Sequence, residues 1–104
     1  MIEVLYFEGC PNLGPTVVLA RDTAAELGIA AEIREIEVRD EADAKRLRFL
    51  GSPTVRVNGI DIDPEAVART DYAFSCRLWG ESGVPPQELM RSALRAATES
   101  AARV

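Results

Sequence analysis

Along the first part of the chain the spacing of apolar side chains changes twice. Ile2 to Phe7 is rich in β-branched and aromatic residues, the composition of a strand, and Glu8-Gly9-Cys10-Pro11-Asn12 closes it with turn formers. Beyond that turn Leu13, Val17, Ala20, Ala24 and Leu27 recur at spacings of three and four, so they fall on one face of a helix that Gly28 can end. Pro15 limits where this helix begins, because proline is tolerated in a first turn, where backbone N–H groups have no intrahelical partner, and not in the interior. The start is expected between Pro11 and Gly14, immediately after Cys10.

Ala31 to Val38 returns to a strand pattern and is expected at an edge, since Glu32, Arg34, Glu35 and Glu37 need water. Asp40 can cap a short helix carrying Ala44 and Leu47 that runs out before Gly51. Thr54 to Val57 reads as a third strand, entered through Ser52-Pro53 and left through Asn58-Gly59; proline at a strand entrance forfeits no ladder hydrogen bond. Asp63-Pro64 has the cap-then-proline form of a helix start, with one or two turns expected over Glu65 to Arg69. Phe74 to Trp79 is expected as the fourth strand. A final helix follows, with Leu89, Met90, Ala93, Leu94 and Ala97 on its apolar face and Glu88, Arg91, Arg95 and Glu99 outside.

The resulting order is β-α-β-α-β-β-α in a single domain over residues 1–104. A right-handed crossover makes the first two strands parallel, while the long connection between strands three and four leaves room for an antiparallel pair. The fold class is α/β, a four-stranded mixed sheet with helices on both faces.

With 47% hydrophobic and 28% charged residues the chain belongs among ordinary globular domains, as a monomer or homodimer. A formal net charge of -5, with arginines scattered and not striped, speaks against nucleic acid as a partner. No apolar run approaches the roughly 18 residues of a membrane span, and the chain opens on a strand pattern where a signal peptide would be basic. No membrane partner and a cytoplasmic location are therefore expected. Histidine is absent, which removes imidazole-base mechanisms and the commonest zinc ligand sets. Two cysteines, Cys10 and Cys76, are too few for a disulfide scaffold and too far apart for a local ligand pair, so a reduced resting state is expected.

Cys10 is the residue best placed for chemistry. At a helix start a thiolate can accept otherwise unpartnered N–H groups and gains from the positive end of the helix dipole, which favours a nucleophile. The plain alternative is a small apolar residue in a tight turn.

The motifs Tyr6-x-x-x-Cys10-Pro11 and Ser52-Pro53-Thr54-Val55, together with the element order, resemble the thioredoxin superfamily and are most similar to its small glutaredoxin-like members. The resemblance spans nearly the whole chain and implies a thioredoxin-like fold. It places Cys10 at the first cysteine of a Cys-x-x-Cys motif, with Pro11 beside it, and Leu13 where the second cysteine would stand. It makes Pro53 the cis-proline, preceded by Ser52 and followed by Thr54, packed next to Cys10 with its backbone N–H and C=O groups open to an extended substrate segment. The family's glutathione-binding glycine pair is missing from Asn58-Gly59-Ile60-Asp61-Ile62-Asp63-Pro64.

Pairing the last strand near Pro53, as the family fold implies, sets Cys76 opposite Val57 and Leu78 opposite Val55. Phe74, Cys76 and Leu78 then share the core face with Val55 and Val57, and Leu5 and Leu78 contribute to the core. Arg56 and Arg77 share the other face, where an Asp or Glu is expected between them because like charges opposite each other repel. On this placement Cys76 is a buried, inaccessible core thiol; the alternative is a resolving thiol reached by movement of the first loop. Tyr6, Tyr72 and Trp79 border the groove or simply finish the core. Gly80 either permits close approach near Pro53 or turns the chain.

Because Leu13 cannot resolve a mixed disulfide, any redox cycle must be monothiol or use Cys76. The function expected is a monothiol thiol-disulfide oxidoreductase acting through a Cys10 mixed disulfide on a thiol or disulfide substrate, a protein among the candidates. Its co-substrate is glutathione or another low-molecular-weight thiol, with no tightly bound cofactor. Two other classes stay open. One is a non-catalytic thioredoxin-fold binding module that keeps the docking groove. The other is organomercury-lyase-like or soft-metal chemistry, which requires Cys10 and Cys76 to converge with Asp61 or Asp63.

Overall fold

Strand β1 (Ile2–Tyr6) occupies the interior of the sheet because it is apolar on both faces: Ile2 and Val4 point to one side and Leu5 to the other, and all three are fully buried. The computed structural model describes residues 1–102. Strand β2 (Ile33–Glu37) pairs parallel with β1, from Ile2 opposite Ile33 to Tyr6 opposite Glu37. On the other side β3 (Thr54–Val57) runs antiparallel, with Ile2 opposite Val57 and Leu5 opposite Thr54. A short β4 (Ile60–Asp61) completes the order β2-β1-β3-β4, which leaves the charged β2 at an edge.

Helix α1 (Leu13–Glu26) is the crossover between the parallel strands, and it starts within the window that Pro15 allows. Its Val17, Ala20 and Ala24 pack with Met90 and Leu94 of α3 (Gln87–Ala102) against Ile2, Val4, Val55 and Val57. The opposite face is smaller. There Leu5, Val38 and Phe49 are covered by Ala44 of α2 (Glu41–Arg46). The Asp40 carboxylate caps α2 by accepting from the Asp43 N–H at 2.8 Å. The Asp43 carboxyl is held below its ordinary 3.8 by the hydrogen bond from the Arg46 side chain and then by the Arg39 N–H. The mixed four-stranded sheet with helices on both faces, in the order β-α-β-α-β-β-α, is the expected fold, and its topology is thioredoxin-like.

One strand lies elsewhere than expected. The fourth strand is Ile60–Asp61, reached from β3 by the two-residue turn Asn58-Gly59, whose φ values of 52 and 83 suit the twist of a hairpin. Phe74 to Trp79 is instead an irregular strap whose one ladder-type pairing among the described residues is a parallel bridge from Cys76 to Ser52. Cys76 is therefore exposed and not a core thiol opposite Val57, while Phe74 is 41% and Leu78 69% exposed, so Leu78 adds nothing to the core. Alternation allows either set of a strand's residues to face inward, and here the other set does. Arg77, only 8% exposed, points inward because a carboxylate and an indole await it. The helix expected over Glu65 to Arg69 is a single 3-10 turn, Pro64–Ala66, with the Asp63 carboxylate accepting from the Glu65 N–H at 3.0 Å.

Two buried residues of α1 are polar. Thr16 and Thr23 are fully buried, and among the described residues their hydroxyls meet no hydrogen-bond partner. A buried hydroxyl without a partner is costly, and valine has nearly the same shape without it. Thr23→Val is accordingly expected to raise stability by about 1 kcal/mol, measured by urea denaturation. An unchanged or lower midpoint would show that the hydroxyl is satisfied in solution.

Candidate thiol site

The C-terminal end of β1 is where the residues singled out for chemistry gather. After Tyr6, which is half-buried, the Phe7 carbonyl accepts the Cys10 N–H at 3.2 Å, and the Cys10 carbonyl accepts the Leu13 N–H at 3.4 Å. Cys10 thus sits two residues before Asn12, the N-terminal cap of α1, half-buried and unbonded to Cys76, with Gly9 and Pro11 exposed on either side. Asn12 makes no side-chain cap; its amide lies against Gly83, where a Cβ would have no room. That contact ties the loop before α3 to the start of α1.

Ser52, Pro53 and Thr54 approach the same place from β3, and all three are buried. The Ser52–Pro53 peptide is cis. Thr54 Oγ1 donates to the Gly51 carbonyl at 2.6 Å, closing the turn on itself. The Phe7 N–H donates to Ser52 Oγ at 3.3 Å, so the proline turn is hydrogen-bonded to the loop that carries Cys10.

The strap covers the outer side of this turn. The Ser52 N–H donates to the Ser75 carbonyl at 2.8 Å, the Arg77 N–H donates to the Ser52 carbonyl at 3.0 Å, and Trp79 Nε1 donates to the Pro53 carbonyl at 2.8 Å. The backbone beside Pro53 is therefore not open to a substrate strand as expected; the chain's own segment 75–79 already holds its hydrogen-bonding groups. At the upstream end Phe74 places its ring 5.5 Å from that of Phe7, and its N–H donates to the Glu41 carboxylate at 3.0 Å.

Arg77 fastens the strap. Its guanidinium makes a two-pronged pair with Asp61 at 2.7 and 3.0 Å, reaches Asp63 at 3.9 Å, and stacks 3.8 Å from the centre of the Trp79 ring. The Asp61 side chain is 7% exposed. In the ladder Asp61 stands opposite Arg56, so an acid does separate the two arginines, although it comes from the hairpin strand. Burial draws the Arg56 guanidinium below its ordinary range, with Asp61 and Glu3 opposing that shift. Gly80, at φ 76, has open space around it and turns the chain. The close approach belongs to Gly51: at φ 115, a Cβ there would lie 2.9 Å from both the Cβ and the N of Arg77.

The structure therefore brings Cys10, Ser52, Pro53, Thr54, Trp79 and Cys76 to one end of the sheet, joined through Phe7 and Ser52. Convergence of both thiols with Asp61 or Asp63 does not occur: those carboxylates are engaged by Arg77, and among the described residues no group of three or more Cys, Asp or Glu is clustered to hold a metal. An apolar groove of about 710 Å³ lies at the far end of β3, lined by Val57, Ile60, Val67, Leu89 and Ala93, and neither cysteine borders it. No described helix is long and apolar enough to cross a membrane. Sequence reasoning missed Gly51 and the pairing of Arg77 with Asp61. The available signals were Asn58-Gly59, a strong hairpin turn, and an arginine set between apolar neighbours.

Two substitutions probe the attachment of the strap. Arg77→Ala leaves Asp61 buried without its partner and is expected to cost about 3 kcal/mol, read as a lower urea midpoint. Gly51→Ala should lose about 2 kcal/mol from strain and contact with Arg77. Gly14→Ala, in the open first turn of α1, should be neutral or slightly stabilising. Equal midpoints for Gly51→Ala and Gly14→Ala would contradict this account of Gly51.

Compared with known proteins, the chain matches no family model, no curated protein and no solved structure.

Proposed function

We propose that this chain is a glutaredoxin-like member of the thioredoxin superfamily that exchanges thiols and disulfides through Cys10. One observation carries the proposal: the Phe7 N–H bond to Ser52 Oγ joins the proline turn to the loop bearing a free, half-buried cysteine just ahead of α1. A half-buried cysteine flanked by the exposed Gly9 and Pro11 can be reached by a substrate sulfur.

The chemistry is an exchange. The Cys10 thiolate attacks one sulfur of a disulfide RSSR, a Cys10–S–S–R bond forms, the R–S–S–R bond breaks, and the leaving thiolate takes a proton from solvent. A second thiol regenerates Cys10 by attacking the sulfur of R, which leaves as a new disulfide. Leu13 cannot perform that step, and the residues on either side of Cys10, Gly9 and Pro11, are exposed.

The closed edge beside Pro53 favours a small disulfide over a protein substrate. An extended polypeptide would need the Ser52 N–H and C=O, and both are bonded to the strap. A disulfide too small to add as a strand needs neither. The same closure weighs against a pure binding module, whose docking groove would have to be open.

In a Cys76→Ser background, oxidised glutathione at neutral pH is expected to add one glutathionyl group at Cys10, and Cys10→Ser should abolish the adduct while the circular dichroism spectrum stays unchanged. Intact-mass analysis with peptide mapping reads both. If Cys10 stays unmodified while the chain remains folded, the proposal fails.

A further inference from the structure

The polar backbone groups of the proline turn all find their partners inside the chain. The Gly51 carbonyl accepts from Thr54 Oγ1, the Ser52 N–H and C=O are bonded to Ser75 and Arg77, the Pro53 carbonyl accepts from Trp79 Nε1, and proline has no N–H to offer. Room is lacking as well, since a Cβ on Gly51 would already lie 2.9 Å from the Cβ and the N of Arg77. An extended polypeptide joins a sheet edge by taking up such groups, and here the strap has taken them.

The two backbone bonds from the strap to Ser52 would form with almost any residue types, so side chains decide whether the segment lies there at all. Regular structure does not hold it: residues 74 and 75 are bends, Leu78 is 69% exposed, and the bridge at Cys76 is isolated. Upstream, the Ala73 N–H donates to the Phe49 carbonyl at 3.1 Å and fixes where the strap begins. Beyond that point the inward anchors are Arg77, whose two-pronged pair with Asp61 buries both charged groups, and Trp79, which stacks on the guanidinium and donates to Pro53.

We infer that Arg77 is a specificity-determining residue for the thiol site, holding the strap on Ser52 so that polypeptide disulfides are denied the turn and Cys10 is left to disulfides too small to add as a strand, an inference that rests on Cys10 being the attacking thiol. Arg77 touches no substrate on this reading and is a positioning residue that acts through the backbone it carries. The Phe7 N–H bond to Ser52 Oγ ties the turn to the loop of Cys10, so occupancy of the turn bears on what is held beside the thiol. A polypeptide docked there would gain hydrogen bonds to the Ser52 N–H and C=O, but it must first displace those of the strap and so gains nothing from them. A small disulfide makes neither bond and is indifferent to the strap. Sulfur exchange at Cys10 is the same for both, so the discrimination lies in binding.

The test uses the full chain in a Cys76→Ser background, where Cys10 is the only thiol. Arg77→Met combined with Asp61→Asn removes the ion pair without leaving a lone buried charge, and Trp79→Phe removes only the donor to the Pro53 carbonyl. Rates of Cys10 adduct formation are measured by intact mass with oxidised glutathione and with a short unstructured peptide dimerised through its single cysteine, and amide exchange at Ser52 reports whether the strap is attached. In the double variant Ser52 is expected to exchange faster, and the peptide rate to rise about tenfold relative to the glutathione rate, the worth of one or two backbone hydrogen bonds. Trp79→Phe should shift both readouts in the same direction by less, and it carries the test alone should the double variant not fold. Faster exchange at Ser52 with an unchanged ratio of the two rates would overturn the role in specificity, and unchanged exchange would overturn the anchoring by Arg77. If neither disulfide modifies Cys10 in any folded chain, the thiol reading itself falls and this one with it.

Discussion

The buried pair of Arg77 and Asp61 decides where the chain between the 3-10 turn and α3 can lie. A guanidinium and a carboxylate removed from water are stable only when each satisfies the other, and here the fork is two-pronged and backed by the Trp79 ring. Because Asp61 belongs to the hairpin strand and Arg77 to the strap, the pair sews a segment without regular structure onto the sheet. Once Arg77 is seated, its own N–H and the Ser75 carbonyl fall against Ser52, and the Trp79 indole reaches the Pro53 carbonyl.

That anchoring alters what the proline turn offers. Backbone groups that an external strand could have used are consumed internally, and Gly51 accommodates the strap because it has no Cβ to meet Arg77. The neighbourhood of Cys10 keeps Gly9 and Pro11 exposed on either side of the half-buried thiol. The same alternation that sends Arg77 inward leaves Cys76 exposed. One packing decision thus accounts for both the closed edge and the exposure of the second thiol.

Much of the fold was legible because it depends on local periodicity and on burial. Val17, Ala20 and Ala24 can bury together only as a helix face, Thr54 to Val57 alternates as a strand must, and Asp40 declares the cap of α2. The place of Cys10 was legible for the same reason, since Pro15 confines the start of α1 to a few residues beyond it. Asn58-Gly59 carried a hairpin signal as well, yet the strand after it is only Ile60–Asp61, too short to show an alternation of its own.

By itself the sequence determined the order of elements and the edge position of β2, from which side chains tolerate water and which backbone angles proline and glycine allow, while the meeting of the Cys10 loop with the entrance to β3 was implied by the family resemblance its motifs carry. Only the tertiary structure decided the course of residues 73–79. Phe74, Cys76 and Leu78 are the apolar members of an alternating run, and burial of apolar area alone would turn them inward. What reversed them is a charged side chain whose partner, Asp61, stands sixteen positions away in sequence. The stabilisation of an ion pair depends on where the second charge is held, and that is settled only when the hairpin has folded beside it.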